Sequence, residues 1–292
     1  MILNYLSQYF KWIYNNADKV KSINDVKRDW KELIRVLNFN TLYGIHKWNN
    51  PVQSLKVFRS VLKKIHIEWD NNWVSTHCNH SRNIIEICKK VDADIIILNE
   101  VLYNNPSKWF IEDWLRTLWY KSVFRWEALH SRAQENKPAI PSWIILAYKW
   151  DALLIEDGLW YSEHRWWASG WYCMEIRIFN LIVIWLHLGL WDPNRQKLQK
   201  LNLERIVKTK LAEWKNILIV WDFNQDPWNI NKNLWKFNLK LFTAPSFPAY
   251  SWLPPIRALD QVWINNNFWI LKNHFMIPTF SDHFAQIVDI QQ

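Results

Sequence analysis

The chain has 292 residues, half of them hydrophobic and evenly spread, so it can bury a large core as one α/β domain or two small ones. No apolar stretch approaches the roughly 18 to 20 residues a membrane span needs, which excludes a transmembrane segment. The formal charge of +9 favours a polyanionic partner, nucleic acid or an acidic membrane face, although Lys, Asn and Ile are all abundant, as an AT-rich gene would dictate, and codon bias of that kind would inflate the lysine count.

The opening segment, MILNYLSQYFKWIYNNADKV, lacks the continuous apolar region and small-residue cleavage site of a signal peptide. Its Ile2, Leu6, Phe10 and Ile13 recur at helical spacing, so residues 1–30 are expected to form a helical appendage, with a peripheral membrane helix as the alternative. Apolar, β-branched runs then predict strands at 33–39, 93–99, 142–148, 175–188, 216–220, 259–264 and 284–290. Helices are expected between them. Val52, Leu55, Phe58, Leu62 and Ile65 form one stripe, and Ile84, Ile87 and Cys88 form another. Pro106 opens a third, with Phe110, Trp114 and Leu118 on its apolar face, and Asp192-Pro193 opens a fourth, carrying Leu203, Ile206, Val207 and Leu211. Interleaved strands and helices, with several strands apolar throughout, fit a sheet covered on both faces. No repeat or linker interrupts the pattern, so residues 31–292 are expected to be one domain. Cys78, Cys88 and Cys173 follow no ligand spacing and suit reduced thiols in a cytoplasmic protein.

Tryptophan occurs 24 times and glycine only 4. Together they make up roughly a tenth of the chain, about what the two ordinarily total, but their shares are inverted. The stretch HRWWASGWYCMEI surrounds Ala168-Ser169-Gly170 with Trp166, Trp167 and Trp171, where a hairpin turn is expected and glycine is the usual residue. Trp150 and Trp160 also sit among turn residues. Some bacterial lineages read UGA as glycine, and decoding such a gene with tryptophan at UGA yields this signature. The alternative is a truly tryptophan-rich protein with stacking platforms for sugars or bases.

The polar residues at the strand ends carry the chemistry. Asn40 follows the first strand, Glu100 ends DADIIILNE, and His187 lies near the end of LIVIWLHL. Asp222 and Asn224 follow NILIV, Asp260 opens LDQVWI, and Asp282 and His283 precede FAQIVDI. Polar groups at several strand ends converge on one rim of a sheet, where a rigid scaffold holds them. Any one of them alone would be an ordinary turn cap or a satisfied histidine.

On the stretches RVLNFNTLYG, DADIIILNEV, IWLHLGLWDPNRQKLQ, ILIVWDFNQDP, RALDQVWI and FSDHFAQIV, in that order, the chain resembles the endonuclease/exonuclease/phosphatase superfamily. The family writes glycine where this chain has Trp221 before Asp222-Phe223-Asn224, and many members have Gln where it has Asn99. The resemblance implies a four-layer α/β sandwich, two packed mixed β-sheets flanked by helices, over residues 31–292. It implies hydrolysis of a phosphate ester by an in-line water with Mg²⁺ or Mn²⁺. Asn40 and Glu100 are the implied metal ligands, with Asp282 added to them, because a hard divalent cation takes carboxylate and amide oxygens. Asp222 is the implied group that orients or deprotonates the water, and Asn224 a donor to a phosphoryl oxygen. His283 is expected at the phosphate with Asp260 holding its ring nitrogen, and His187 either to protonate the leaving oxygen or to bind the phosphate.

The charge and a basic stretch after Asn40 (Lys56, Arg59, Lys63 and Lys64) favour nucleic acid as substrate and a nuclease-like phosphodiesterase. A phosphatase acting on phosphomonoesters or a sphingomyelinase-like phospholipid diesterase is the alternative, and a non-catalytic binding protein on the same fold is a third reading.

Overall fold

The computed structural model describes residues 19, 21–25, 33–41, 83–102, 111–130, 140–160, 169–187, 193–222, 234–246, 257–265, 270–277, 279 and 283–291. The amphipathic opening, the stripe from Val52 to Ile65 with its basic residues, Cys78 and the first part of the helix begun at Pro106 lie outside those residues. Strands β1 (Leu33–Asn40), β2 (Ile95–Leu102), β3 (Ser122–His130), β4 (Ile140–Tyr148), β11 (Ile270–Ile277) and β12 (Ala285–Gln291) build one sheet in the order β11-β12-β1-β2-β4-β3. Strands β5 (Leu153–Trp160), β6 (Ser169–Ile176), β7 (Leu181–His187), β8 (Asn216–Asp222), β9 (Leu239–Thr243) and β10 (Asp260–Asn265) build a second, in the order β5-β6-β7-β8-β10-β9. Both are mixed. Each has one parallel pair at its centre, β1 with β2 and β7 with β8, flanked by antiparallel neighbours. Parallel pairing requires a crossover, and helices α1 (residues 83–91) and α3 (Pro193–Ala212) lie in the two crossovers.

Side-chain alternation sorts these strands into layers. Ile34, Val36, Ile95, Ile97, Ile144 and Leu146 meet Met174, Val183, Trp185, Leu218, Val220 and Val262 in one buried cluster between the sheets. The opposite face of the first sheet, with Leu37, Ile96, Leu98 and Ile287, is covered by Ile84, Cys88 and Val91 of α1 and by Ile111 and Leu115 of α2 (Ile111–Thr117). The outer face of the second sheet, with Ile182, Ile184, Ile217 and Ile219, is covered by Leu203, Ile206 and Val207 of α3. The result is the helix–sheet–sheet–helix sandwich expected from the sequence. Central strands apolar on both faces follow from it, since neither face meets water. Among the described residues no helix is long and apolar enough to cross a membrane.

Two local expectations differ from the structure. The single strand expected at 175–188 is two, β6 and β7, joined by a 3₁₀ turn at Arg177–Phe179. Asn180 closes that turn at φ 49° and ψ 37°, a left-handed conformation that asparagine tolerates better than most residues. With no glycine or proline at the turn, hydropathy alone runs the two strands together. Ser169 and Gly170 lie inside β6, paired with Trp160 and Leu159, rather than in a turn.

Buried polar groups tie down both ends of the first sheet. At its far end Arg35 donates through Nε and Nη2 to the two oxygens of Asp289, at 2.6 and 2.8 Å, with both side chains almost wholly buried. The two residues are directly opposite in the β1–β12 register. Asn273 also donates to Asp289 at 3.1 Å, and Asp94 accepts the Arg35 backbone N–H at 2.8 Å. Nearer the other end a row of side chains crosses four strands. Asn99 donates to Asn38 (3.3 Å), Asn38 to Gln286 (3.4 Å), and Gln286 Nε2 lies 3.0 Å from His274 Nε2 and 3.1 Å from the Phe242 carbonyl of the second sheet. An amide nitrogen can only donate, so His274 Nε2 is the unprotonated, accepting nitrogen. Burial pushes its pKa down from 6.5 to about 3, with the Lys19 charge adding to the shift.

Arg35→Ala should leave the Asp289 carboxylate buried without its cation and cost about 3–5 kcal/mol in urea unfolding, whereas replacing both partners with apolar residues should cost far less. His274 stays neutral in the folded state while the unfolded chain protonates near 6.5. Stability should therefore fall as pH drops from about 6.5 towards 3, by up to about 1.4 kcal/mol per pH unit. His274→Gln should flatten that limb in unfolding curves between pH 7 and 4.

Candidate active site

The rows of side chains that are apolar between the sheets turn polar at one rim. On β1 the row runs Ile34, Val36, Asn38, Asn40; on β8 Leu218, Val220, Asp222; on β10 Ile264, Val262, Asp260. Asn40 and Asp222 close strands that each belong to a central parallel pair, so both crossovers deliver their carboxyl ends to the same side. β10 and β12 run the other way, and it is their beginnings, at Asp260 and just after His283, that reach this rim.

Asn40 Nδ2 donates to Asp222 Oδ2 at 2.7 Å, across the gap between the sheets. Asp222 and Asp260 are directly opposite in the β8–β10 register, and both are fully buried. His283, 5% exposed, places Nδ1 2.8 Å from Asp260 Oδ2. Ligand atoms of Asp222, Asp260 and His283 lie within 4.8 Å of one another. Burial pushes the Asp260 carboxyl above its ordinary value, the His283 ring pulls it back, and the Asp222 charge raises it again.

Of the other residues singled out in the sequence, His187 closes β7 with its backbone opposite Asp222 in the parallel register. Glu100 lies within β2 rather than at its end, at an irregularity where one extra residue sits between Leu98 and Val101. Such a bulge breaks the two-residue alternation and is a common device for re-aiming a side chain at a sheet edge. Asn224 and Asp282 lie outside the described residues.

One residue that sequence reasoning passed over holds the rim together. Ser246 is fully buried, and its N–H donates to the Arg257 carbonyl at 2.8 Å. Its own carbonyl accepts from Phe284 N–H at 2.9 Å, and its Oγ accepts from Asp260 N–H at 3.3 Å. It thereby fixes the segments that carry both Asp260 and His283. Nothing in TAPSFP marks it, because its bonds are all to partners distant in sequence or to backbone.

The site's donor set suits a hard cation. Asn99 Oδ1 and Asp260 Oδ1 are buried oxygens with no hydrogen-bond partner among the described residues. A buried oxygen without a donor is costly unless a cation or water meets it. Carboxylate and amide oxygens are the ligands that Mg²⁺, Mn²⁺ and Ca²⁺ take.

No curated protein sequence matches the chain significantly. Solved structures share its fold at low identity. The human Nocturnin catalytic domain is 14% identical with a TM-score of 0.59, over 89% of this chain and 93% of that one. The Bacteroides thetaiotaomicron mannosyl-6-phosphatase is 13% identical at 0.59, over 89% of this chain and all of that one. ANGEL2, a 2′,3′-cyclic phosphatase, is 12% identical at 0.58, over 91% and 98%. The sequence model of the Endonuclease/Exonuclease/phosphatase family matches residues 39–283, from the strand that ends in Asn40 to the histidine paired with Asp260, and the chain belongs to that family of metal-dependent phosphoesterases.

Proposed function

We propose that the chain is a nuclease-like phosphodiesterase that hydrolyses nucleic acid with Mg²⁺ or Mn²⁺ and an activated water. The observation that carries this reading is the buried chain of contacts at the rim, Asn40 to Asp222 at 2.7 Å and Asp260 to His283 at 2.8 Å, between the ends of two sheets. Asn40 commits its Nδ2 to Asp222, so its Oδ1 is the atom it would offer a cation, together with Glu100 and Asp282. A bound divalent cation supplies positive charge for the phosphoryl and leaving oxygens.

Asp222 accepts the proton of the attacking water as the new P–O bond forms. Its burial at a rigid strand end holds it in one orientation towards that water. His283, with Nδ1 held by Asp260, turns Nε2 to the phosphate, and this bond fixes its tautomer. Asn224 donates to a phosphoryl oxygen, and His187 gives a proton to the leaving oxygen as the old P–O bond breaks. Nucleic acid is favoured as substrate by the formal charge of +9, which would draw a polyanion to the rim. The solved structures that are phosphatases favour the phosphatase form of the second reading, which is a phosphatase or a phospholipid diesterase with the same residues in the same roles.

Incubation with Mg²⁺ and plasmid DNA, single-stranded DNA, RNA, sphingomyelin and sugar phosphates separates the two. Cleavage of nucleic acid that weakens steeply with added salt is the expected result, and turnover of lipid or monoester alone would reject the nuclease reading. Asp222→Asn should lower kcat by at least about 10²-fold. Glu100→Gln should weaken Mg²⁺ or Mn²⁺ binding in titration calorimetry and abolish most activity. Ser246→Ala removes the acceptor of the Asp260 N–H while keeping the backbone bond to Phe284, and should lower kcat through Asp260 and the His283 it holds.

A further inference from the structure

Among the described residues five that are not glycine have positive φ: Asp92, Trp119, Asn180, Trp214 and Asn238. Asparagine and aspartate tolerate the left-handed region, because their short side chains bond locally. The other two are both tryptophan, at φ 70° and 59°. A bulky side chain at such a φ is a genuine outlier.

Both tryptophans occupy the same structural position. After α2, Trp119 N–H donates to the Arg116 carbonyl at 3.1 Å and Tyr120 N–H to the Leu115 carbonyl at 3.2 Å. After α3, Trp214 N–H donates to the Leu211 carbonyl and Lys215 N–H to the Lys210 carbonyl, each at 3.0 Å. This is the paired six-to-one and five-to-two bonding of a Schellman helix end, whose left-handed residue is usually glycine. The indoles do nothing to offset the conformation, since Trp119 is 84% and Trp214 86% exposed. The contrast is Trp263, fully buried in the extended β10 with its indole N–H donating to Gln261 at 3.3 Å. Its surroundings do not call for glycine.

We infer that the native polypeptide carries glycine at positions 119 and 214, and that tryptophan there results from decoding a reassigned UGA codon as tryptophan. Backbone geometry and the inverted Trp and Gly totals are separate observations, and both point the same way. The same substitution at 221 places a residue without a side chain directly before Asp222, between Leu186 and Gln261 in the sheet. Only that extension rests on the phosphoesterase reading.

The test is tryptic peptide mass on the protein purified from its own cells. Peptides 117–121 and 211–215 should carry glycine masses at 119 and 214, and tryptophan masses at both would overturn the inference. No activity is read, so this outcome is independent of whether the chain cleaves nucleic acid. A second arm uses a synthetic gene encoding the sequence as given. Trp119→Gly and Trp214→Gly should each raise Tm by about 2–4 °C, while Trp263→Gly should lower it. A lower Tm for both helix-end variants would overturn the conformational basis.

Discussion

One hydrogen bond between sheets organises the site: the Asn40 amide donating to the buried Asp222 carboxylate at 2.7 Å. Elsewhere the cluster between the sheets is apolar, apart from Gln286 donating to the Phe242 carbonyl at 3.1 Å and the Asp260–His283 pair at the same rim, and apolar contact fixes separation but not lateral position. A charge-assisted bond is directional, and a buried carboxylate without donors costs several kcal/mol. The bond therefore holds the carboxyl ends of the two parallel pairs in one relative position. Asp260 and His283 then follow from register, because Asp260 is opposite Asp222 and His283 bonds Asp260.

Register makes this arrangement unforgiving. Asp222 and Asp260 each continue a row that is apolar two and four residues deeper, and Asn40 ends a row that is polar at Asn38 and apolar from Val36 inward. A slip of one residue would send the polar end of a row to the helix-covered face and its apolar part with it, a change no partial repacking repairs. Deep apolar rows thus position the rim residues even though they touch nothing reactive. β2 departs from simple alternation, with a register irregularity between Leu98 and Val101.

This explains what was legible in the sequence and what was not. Runs such as IRVLNFN and NILIVWD announce buried strands by composition, and a polar residue at the end of such a run is conspicuous against it. Asn40, Asp222 and Asp260 were therefore visible from sequence alone, and the Asp260–His283 pairing was suggested by family resemblance. Strands with mixed faces at sheet edges, such as β3, β9 and β11, gave weaker patterns. The β6–β7 turn at Asn180 carried no glycine or proline to mark it. Ser246 and the Asn99–Asn38–Gln286–His274 row were illegible for another reason. Their partners are set by the fold, and hydrogen bonds between distant segments leave no local period to read.

The two ends of the first sheet also separate structural from chemical burial of charge. Arg35 and Asn40 are five residues apart on β1, roughly 17 Å at strand rise. At the Arg35 end the buried carboxylate of Asp289 is matched within the chain, both oxygens bonded to a guanidinium and one also to Asn273. At the Asn40 end Asp222 and Asp260 share an amide and an imidazole, and Asp260 Oδ1 and Asn99 Oδ1 lack hydrogen-bond partners among the described residues. If burial of charge served only to fix strand positions, the Arg35 solution would suffice at both ends. The Arg35 end answers its carboxylate with a guanidinium, while the Asn40 end sets two buried carboxylates opposite each other in register, an arrangement whose repulsion a divalent cation would relieve and which suits a family of metal-dependent phosphoesterases.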